Sequence, residues 1–215
     1  MLELKNITIK KSMAQDKVLI DDLTMQIKPG EIKALMGASG SGKSTLLNYL
    51  LGHLENYFSA SGEIELYGRA ITHLAPHLRQ LGILFQSGML FPHLSVLDNI
   101  NYAISQKFTS KEKKAYVLDL LHQVGLSEIS QQMPNTLSGG QYIRVALVRT
   151  IAANPKGLLL DEPFSRLDAN NRFKVRDWLF NYVREKNIPV LLVTHDLEDV
   201  EATGHIATYL GNQRG

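Results

Sequence analysis

Apolar and polar residues alternate along residues 2–9, with Leu2 and Leu4 followed by Ile7 and Ile9. A second run of strand character covers 18–27, with the turn formers Asp21, Asp22, Pro29 and Gly30 around it. Period two places successive side chains on opposite faces, so both runs predict strands. The short apolar run 31–36 and the segments 62–66 and 81–85 predict three more strands, so the first half reads as a sheet with an antiparallel portion attached. From about 95 to 132 the period lengthens: Val117, Leu120, Leu121 and Val124 fall at i, i+3, i+4 and i+7, one face of a helix. A further helix is predicted over about 139–153. The runs 157–160 and 190–194 are short and apolar, which suits buried parallel strands. Between them Val175, Trp178, Leu179 and Tyr182 form a helical stripe. Strand–helix–strand alternation of this kind predicts an α/β layer fold with a mostly parallel sheet.

Composition narrows the function classes. A chain of 215 residues with 44% hydrophobic content can bury a substantial core. Its 23 basic and 21 acidic residues leave a formal charge of +2, without the basic face expected of a nucleic-acid binder. The one basic run, 111–114, is interrupted by Glu112 at a place where a helix should begin, and it reads as a solvated helix end. Without cysteine there is no disulfide or thiol chemistry. Residues 1–10 lack the apolar core of a signal peptide, and runs such as 157–160 and 190–193 fall far short of the roughly 20 residues that span a bilayer. The expectation is a soluble, cytoplasmic chain whose membrane role, if any, comes through a partner. No internal repeat, low-complexity tract or linker interrupts it.

The run Gly37, Ala38, Ser39, Gly40, Ser41, Gly42, Lys43, Ser44 fits G-x-x-x-x-G-K-[ST], and Thr45 follows. Its glycines allow a turn tight enough for successive backbone N–H groups to face phosphate oxygens, and the helix that begins near Lys43 adds the positive end of its dipole. Lys43 can reach the β- and γ-phosphates, and the Ser44 hydroxyl can ligate magnesium. The context agrees: an apolar strand precedes the loop, and Leu46, Leu47 and Leu50 continue as a helix. A nucleoside triphosphate is the expected ligand. Downstream, the apolar run 158–160 ends in Asp161 and Glu162. Ligands of open α/β sheets sit beyond the carboxyl ends of strands, so Asp161 is expected near magnesium and Glu162 near an attacking water, as general base or water positioner.

Leu137-Ser138-Gly139-Gly140-Gln141 reproduces the signature pentapeptide of the ABC (ATP-binding cassette) ATPases, and the chain resembles that family over essentially its whole length. The landmarks stand in the family's order. Residues 37–45 correspond to Walker A, Gln86 to the Q-loop glutamine, 137–141 to the signature, 158–162 to Walker B, 165–168 with Asp168 to the D-loop, and His195 to the H-loop histidine. The resemblance implies a P-loop core with an antiparallel β subdomain and an inserted α-helical subdomain: 1–86 and 155–215 for core and β subdomain, about 87–154 for the helical part, within one ATP-binding domain. It implies ATP and Mg2+ as ligands, with Gln86 sensing the magnesium and His195 contacting the γ-phosphate. Ser138, Gly139, Gly140 and Gln141 would form a second anion cradle at a helix start. In the family this cradle faces nucleotide bound by the other subunit, so ATP closes a homodimer.

The family's aromatic that stacks on adenine has no counterpart in Ile9-Lys10-Lys11-Ser12-Met13. A lysine stem or Met13 is left to cover the ring, and weaker discrimination of ATP from GTP is expected. Tyr142 and Arg166 also depart from the usual residues, neither at a group required for phosphate chemistry. The chain ends soon after 205–210, so the C-terminal regulatory domain of some sugar and metal importers is not expected. Residues 86–100 and the Met133-Pro134 pair resemble bacterial importers of small polar solutes, thiamine-type or related. That implies a membrane-spanning permease partner, docked on a groove around Leu90, Phe91 and Leu94, and a periplasmic solute-binding protein. The alternatives are a cell-division or lipoprotein-release ATPase and a nucleic-acid clamp. The coiled-coil insertions and tandem cassettes of clamp relatives are missing from this sequence, so no nucleic acid is expected.

Overall fold

The computed structural model describes residues 1–12, 17–104 and 108–210. Two compact units emerge. One comprises Met1–Leu81, Lys156–Leu159 and the chain from Val183 on; the other comprises Gly82–Pro155 and Leu160–Tyr182.

The first unit opens with an antiparallel sheet of β1 (Leu2–Lys11), β2 (Lys17–Ile27), β4 (Phe58–Leu66) and β5 (Arg69–Ala70), in the order β2-β1-β4-β5. Along β1 the buried residues are Leu2 and Leu4, then Ile7 and Ile9, so the alternation changes phase midway. The register of β1 against both neighbours shifts between Leu4 and Ile7 on one side and between Lys5 and Thr8 on the other. Asn6 takes φ 51 there, and its side-chain amide donates to Asp22 Oδ1 at 2.6 Å. An extra residue in a strand moves every later side chain to the opposite face; the bulge is what keeps all four apolar residues on the core side. Gly62 lies across from it at φ 104, where a Cβ would stand 2.5 Å from the Asn6 carbonyl, so no larger residue fits.

A second sheet has the order β6-β7-β8-β3-β9, with β3 (Ile32–Met36), β6 (Leu81–Leu84), β7 (Gly157–Asp161), β8 (Val190–Val193) and β9 (Thr208–Tyr209). β3 pairs parallel with β8, from Ile32↔Val190 to Leu35↔Val193, and parallel with β9. Leu158, Leu159, Leu160, Leu191, Leu192 and Val193 are wholly buried, as strands covered on both faces require. The first unit also holds α1 (Lys43–Leu51) and α6 (Leu197–Thr203). Beneath α1, the buried Arg79 donates from Nη1 to the carbonyls of Tyr49 (2.9 Å) and Leu50 (2.8 Å). Its Nε donates to Leu74 O and its Nη2 to Thr72 O. One guanidinium therefore satisfies the Leu50 carbonyl, which the last turn of a helix leaves open, and adds a second donor to the Tyr49 carbonyl, which also accepts from Gly52 N at 3.0 Å.

The second unit is mainly helical: α2 (Val96–Ala103), α3 (Ser110–Gln123), α4 (Gly139–Ala152) and most of α5 (Ala169–Glu185). The predicted helical stretch 95–132 resolves into α2, α3 and a short 3-10 turn, with Val124 just past the end of α3. α3 begins where the basic run predicted, with Thr109 and Glu112 exchanging capping hydrogen bonds. On α5 the buried apolar positions are Val175, Leu179 and Val183, with Phe180. Trp178 and Tyr182 are only half-buried: the indole N–H donates to Gln123 Oε1 at 2.7 Å and the Tyr182 hydroxyl lies 3.5 Å from that of Tyr116. Their polar tips bring both to the edge of the stripe rather than its centre.

Candidate functional site

The loop that follows β3 is built by its glycines. Gly37, Gly40 and Gly42 take φ 158, 79 and 98. A Cβ on Gly37 would stand 2.6 Å from Ser41 Oγ and 2.9 Å from the Leu210 carbonyl, and one on Gly42 would stand 2.7 Å from the Leu19 side chain. The left-handed Gly42 is the N-cap of α1 and offers no side chain to the helix start, so the first-turn N–H groups have no side-chain cap. Lys43 Nζ folds back over the loop, donating to Gly37 O (2.6 Å) and Ala38 O (3.0 Å). Ser41 Oγ is buried with no hydrogen-bond partner. An ammonium, a bare helix start and an orphaned hydroxyl on a tight glycine turn fit a phosphate chain. Ser44 is exposed and Thr45 half-buried on the first turn of α1.

His195 leaves the same sheet as this loop. Leu35 pairs with Val193 in parallel register, so the phosphate loop and the segment 194–196 leave neighbouring strands at the same end. Thr194 fixes that segment: its hydroxyl donates to the buried Asp199 at 3.1 Å and accepts from Asp196 N at 3.1 Å. Asp196 in turn caps α6 by accepting from Glu198 N at 2.8 Å. His195 itself is exposed.

Asp161 ends the buried strand β7 and Glu162 follows it, both in the second unit. Glu162 takes φ 49, a left-handed backbone uncommon for a residue with a side chain. Ser165 and Gln86 help to hold it. Ser165 donates to the Glu162 carbonyl from N (3.3 Å) and from Oγ (2.9 Å), and Gln86 Nε2 donates to Glu162 Oε2 at 3.0 Å. Such strain collects where a side chain must be aimed. Phe164, buried, anchors the turn edge-on to Phe180.

The segment 137–141 opens α4. Ser138 is its N-cap, accepting from Gln141 N (3.2 Å), while Gln141 Oε1 accepts from Ser138 N (2.9 Å). This is a capping box, so Ser138 and Gln141 serve the helix as well as any ligand. Ser138 and Gly139 are exposed, and Gly139 has open space where a Cβ would stand. Gly140 approaches Leu167 and the Arg166 carbonyl, at 3.4 and 3.5 Å from a built Cβ. Asp168 starts α5, accepting from Asn171 N at 3.1 Å and Nδ2 at 2.6 Å. The Asn171 side-chain bond, then the backbone bonds, hold its carboxyl below the usual aspartate value.

The structure thus joins Gln86 to Glu162, and Ser138 to Gln141, within one unit. It places the 37–45 loop beside the His195 segment within the other. It also assigns contacts that the sequence reading passed over. The Tyr142 hydroxyl accepts from Leu90 N at 2.9 Å, and its ring fills the space where a Cβ on Gly88 (φ 73) would come within 2.8 Å. Arg149 adds a bond to Gly88 O at 3.3 Å and covers the Phe91 ring at 5.3 Å. The departure at Tyr142 therefore holds the loop that carries Gln86; the only signal for it in the sequence is the departure itself. Leu90, expected to line a groove, is a buried core residue, whereas Phe91 is half-buried against Tyr102. Met13, expected to help cover a base, lies outside the described residues. No cluster of metal-binding side chains and no helix long and apolar enough to cross a membrane occur among the described residues.

Comparison with known proteins agrees with this geometry. The family described as ABC transporter matches residues 20–165. The ABC transporter ATP-binding protein YnjD of Escherichia coli, itself named as uncharacterized, is 43% identical over 96% of this chain and 94% of its own length. The aliphatic sulfonates import ATP-binding protein SsuB 1 of Xanthomonas axonopodis pv. citri is 40% identical over 92% of this chain and 77% of its own. The sulfate/thiosulfate import ATP-binding protein CysA of Mycolicibacterium paratuberculosis is 43% identical over 84% of this chain, which spans about half of it (49%). Among solved structures, the dimeric post-hydrolysis ATP-binding cassette MJ0796 bound to ADP and Pi superposes with a TM-score of 0.85 at 31% identity, covering 98% of this chain and 94% of that one. On these matches and on its ordered motifs, the chain belongs to the ABC transporter family and is an ATP-binding, ATP-hydrolysing cassette.

Proposed function

We propose that this chain is the motor of a membrane importer for a small solute, peripheral on the cytoplasmic face of the membrane and bound there to a permease. Two of the relatives named above are import ATP-binding proteins, one for sulfate/thiosulfate and one for aliphatic sulfonates, which favours import over lipoprotein release, cell division or a nucleic-acid clamp. A periplasmic solute-binding protein would deliver the solute through the permease.

The roles follow from the chemistry of each group. The N–H groups of 37–43 and the Lys43 ammonium hold the phosphates, Lys43 exchanging its two loop carbonyls for phosphate oxygens. Ser41 gains a partner for its buried hydroxyl. Ser44, Asp161 and Gln86 are the residues that would hold magnesium, which when bound neutralises charge on the β- and γ-phosphates. Glu162 positions and deprotonates the attacking water, and Gln86 orients the carboxylate. His195 hydrogen-bonds the γ-phosphate. Ser138, Gly139 and Gly140 present a helix start to nucleotide held by a second copy, with Gln141 and Asp168 fixing the two helix starts nearby.

The observation that carries the reading is Glu162, at the end of a buried strand, in a left-handed backbone, with its carboxylate bonded by Gln86. Its test is recovery of the tagged chain from native membranes. A multi-span membrane protein should accompany it, and ATP hydrolysis by the complex should respond to small oxyanion or sulfonate solutes. Recovery with ribosomes or nucleic acid and no membrane protein would overturn it.

A further inference from the structure

Residues 9–12 carry no aromatic, yet the antiparallel sheet brings one to them from another strand. Lys11 stands opposite Phe58 in the register of β1 and β4, and Ser12 N donates to the Tyr57 carbonyl at 2.9 Å. Directly opposed residues of an antiparallel pair share a face, as do residues two apart in a strand. Lys11 and Phe58 therefore share the face of Ile9 and its partners Ala60 on β4 and Ile20 on β2. The phosphate loop touches that same face. A Cβ on Gly42 would stand 2.7 Å from Leu19 and 3.4 Å from Ile20. Two strands across from β2, about 10 Å at the usual strand spacing, the face presents Phe58. The Tyr57 ring stands beside it, centroids 4.6 Å apart and tilted by 41°, with Tyr57 40% exposed.

A triphosphate held by its phosphates leaves its base outside the loop, where a flat apolar surface is the partner a base takes. We propose that Phe58, backed by Tyr57, is the platform on which the purine of the bound nucleotide stacks. The lysine stem of Lys11 closes one side. This rests on the reading of 37–45 as the phosphate loop. Stacking senses the π-face rather than the base edge, so ATP and GTP bind comparably and the smaller ring of CTP binds more weakly.

The test is binding of ATP, GTP, CTP and inorganic tripolyphosphate to the full chain and to Phe58→Ala, Tyr57→Ala, Phe58→Trp and Lys43→Ala. Phe58→Ala should weaken ATP and GTP about fivefold or more and leave tripolyphosphate unchanged, which also shows that the variant is folded. Tyr57→Ala, at an exposed position, should weaken both less. Phe58→Trp should restore affinity, and its emission should change with ATP but not with tripolyphosphate. If Lys43→Ala abolishes binding while Phe58→Ala and Tyr57→Ala bind ATP as the unaltered chain does, the platform is wrong and the phosphate loop stands. If Lys43→Ala binds ATP undiminished, both readings fall.

Discussion

At the scale of single residues, the account depends on side chains fixed by few, definable contacts. Glu162 is the sharpest case. Replacing it by Gln keeps the size and the contact to Gln86 but removes the base, so turnover should fall roughly 10²- to 10⁴-fold while ATP binding persists, as read by steady-state hydrolysis and equilibrium titration. Asp168 makes a pH-dependent contribution. Its folded-state pKa is depressed by Asn171, so the folded chain binds fewer protons there than the unfolded one. The support it gives to the start of α5 is therefore complete above the ordinary aspartate range and disappears as pH falls through the depressed value. Carboxylate NMR should place the Asp168 midpoint below 3.8, and Asn171→Ala should move it back up. Motif residues were legible in the sequence because their geometry is local: Gly37 to Lys43 close a turn on themselves, and Ser138 caps a helix three residues on. Tyr142 was not, because its hydroxyl meets Leu90 across 52 positions of sequence. Nor was the burial of Leu90, since an apolar residue reads alike whether it lines a groove or a core.

At the scale of elements, strands and helices were read correctly in kind wherever periodicity was strong. The exceptions have physical causes. β1 alternates on both sides of a bulge; the polar pair Lys5 and Asn6 breaks the alternation in the sequence, and Asn6 and Gly62 show the break to be an inserted residue. The stripe of α5 runs through Val175, Leu179 and Val183 because Trp178 and Tyr182 turn their polar ends toward partners. The helix that carries Lys43 is held from its far end. Arg79 bonds two carbonyls of its last turn and two of the segment below. Arg79→Met should destabilise the fold by about 3 kcal/mol, since each buried carbonyl left unpaired costs roughly 1–3 kcal/mol, an effect readable as a lowered midpoint in urea at unchanged slope.

At the scale of the whole molecule, the family and its α/β plan were legible from six motifs in order, and the comparisons bear both out. The chain crosses between the two units inside β6, just before β7, inside β7 and inside α5, and those crossing points depend on which long-range contacts form rather than on local pattern. The central claim is that a triphosphate is held by the Lys43 loop of one copy and the Ser138 helix start of another, so that ATP joins two chains and its hydrolysis parts them. Sedimentation of the Glu162→Gln chain in magnesium, once with ATP and once with ADP, tests this most directly. The account predicts the mass of two chains with ATP and of one with ADP; a single chain in both solutions would contradict it.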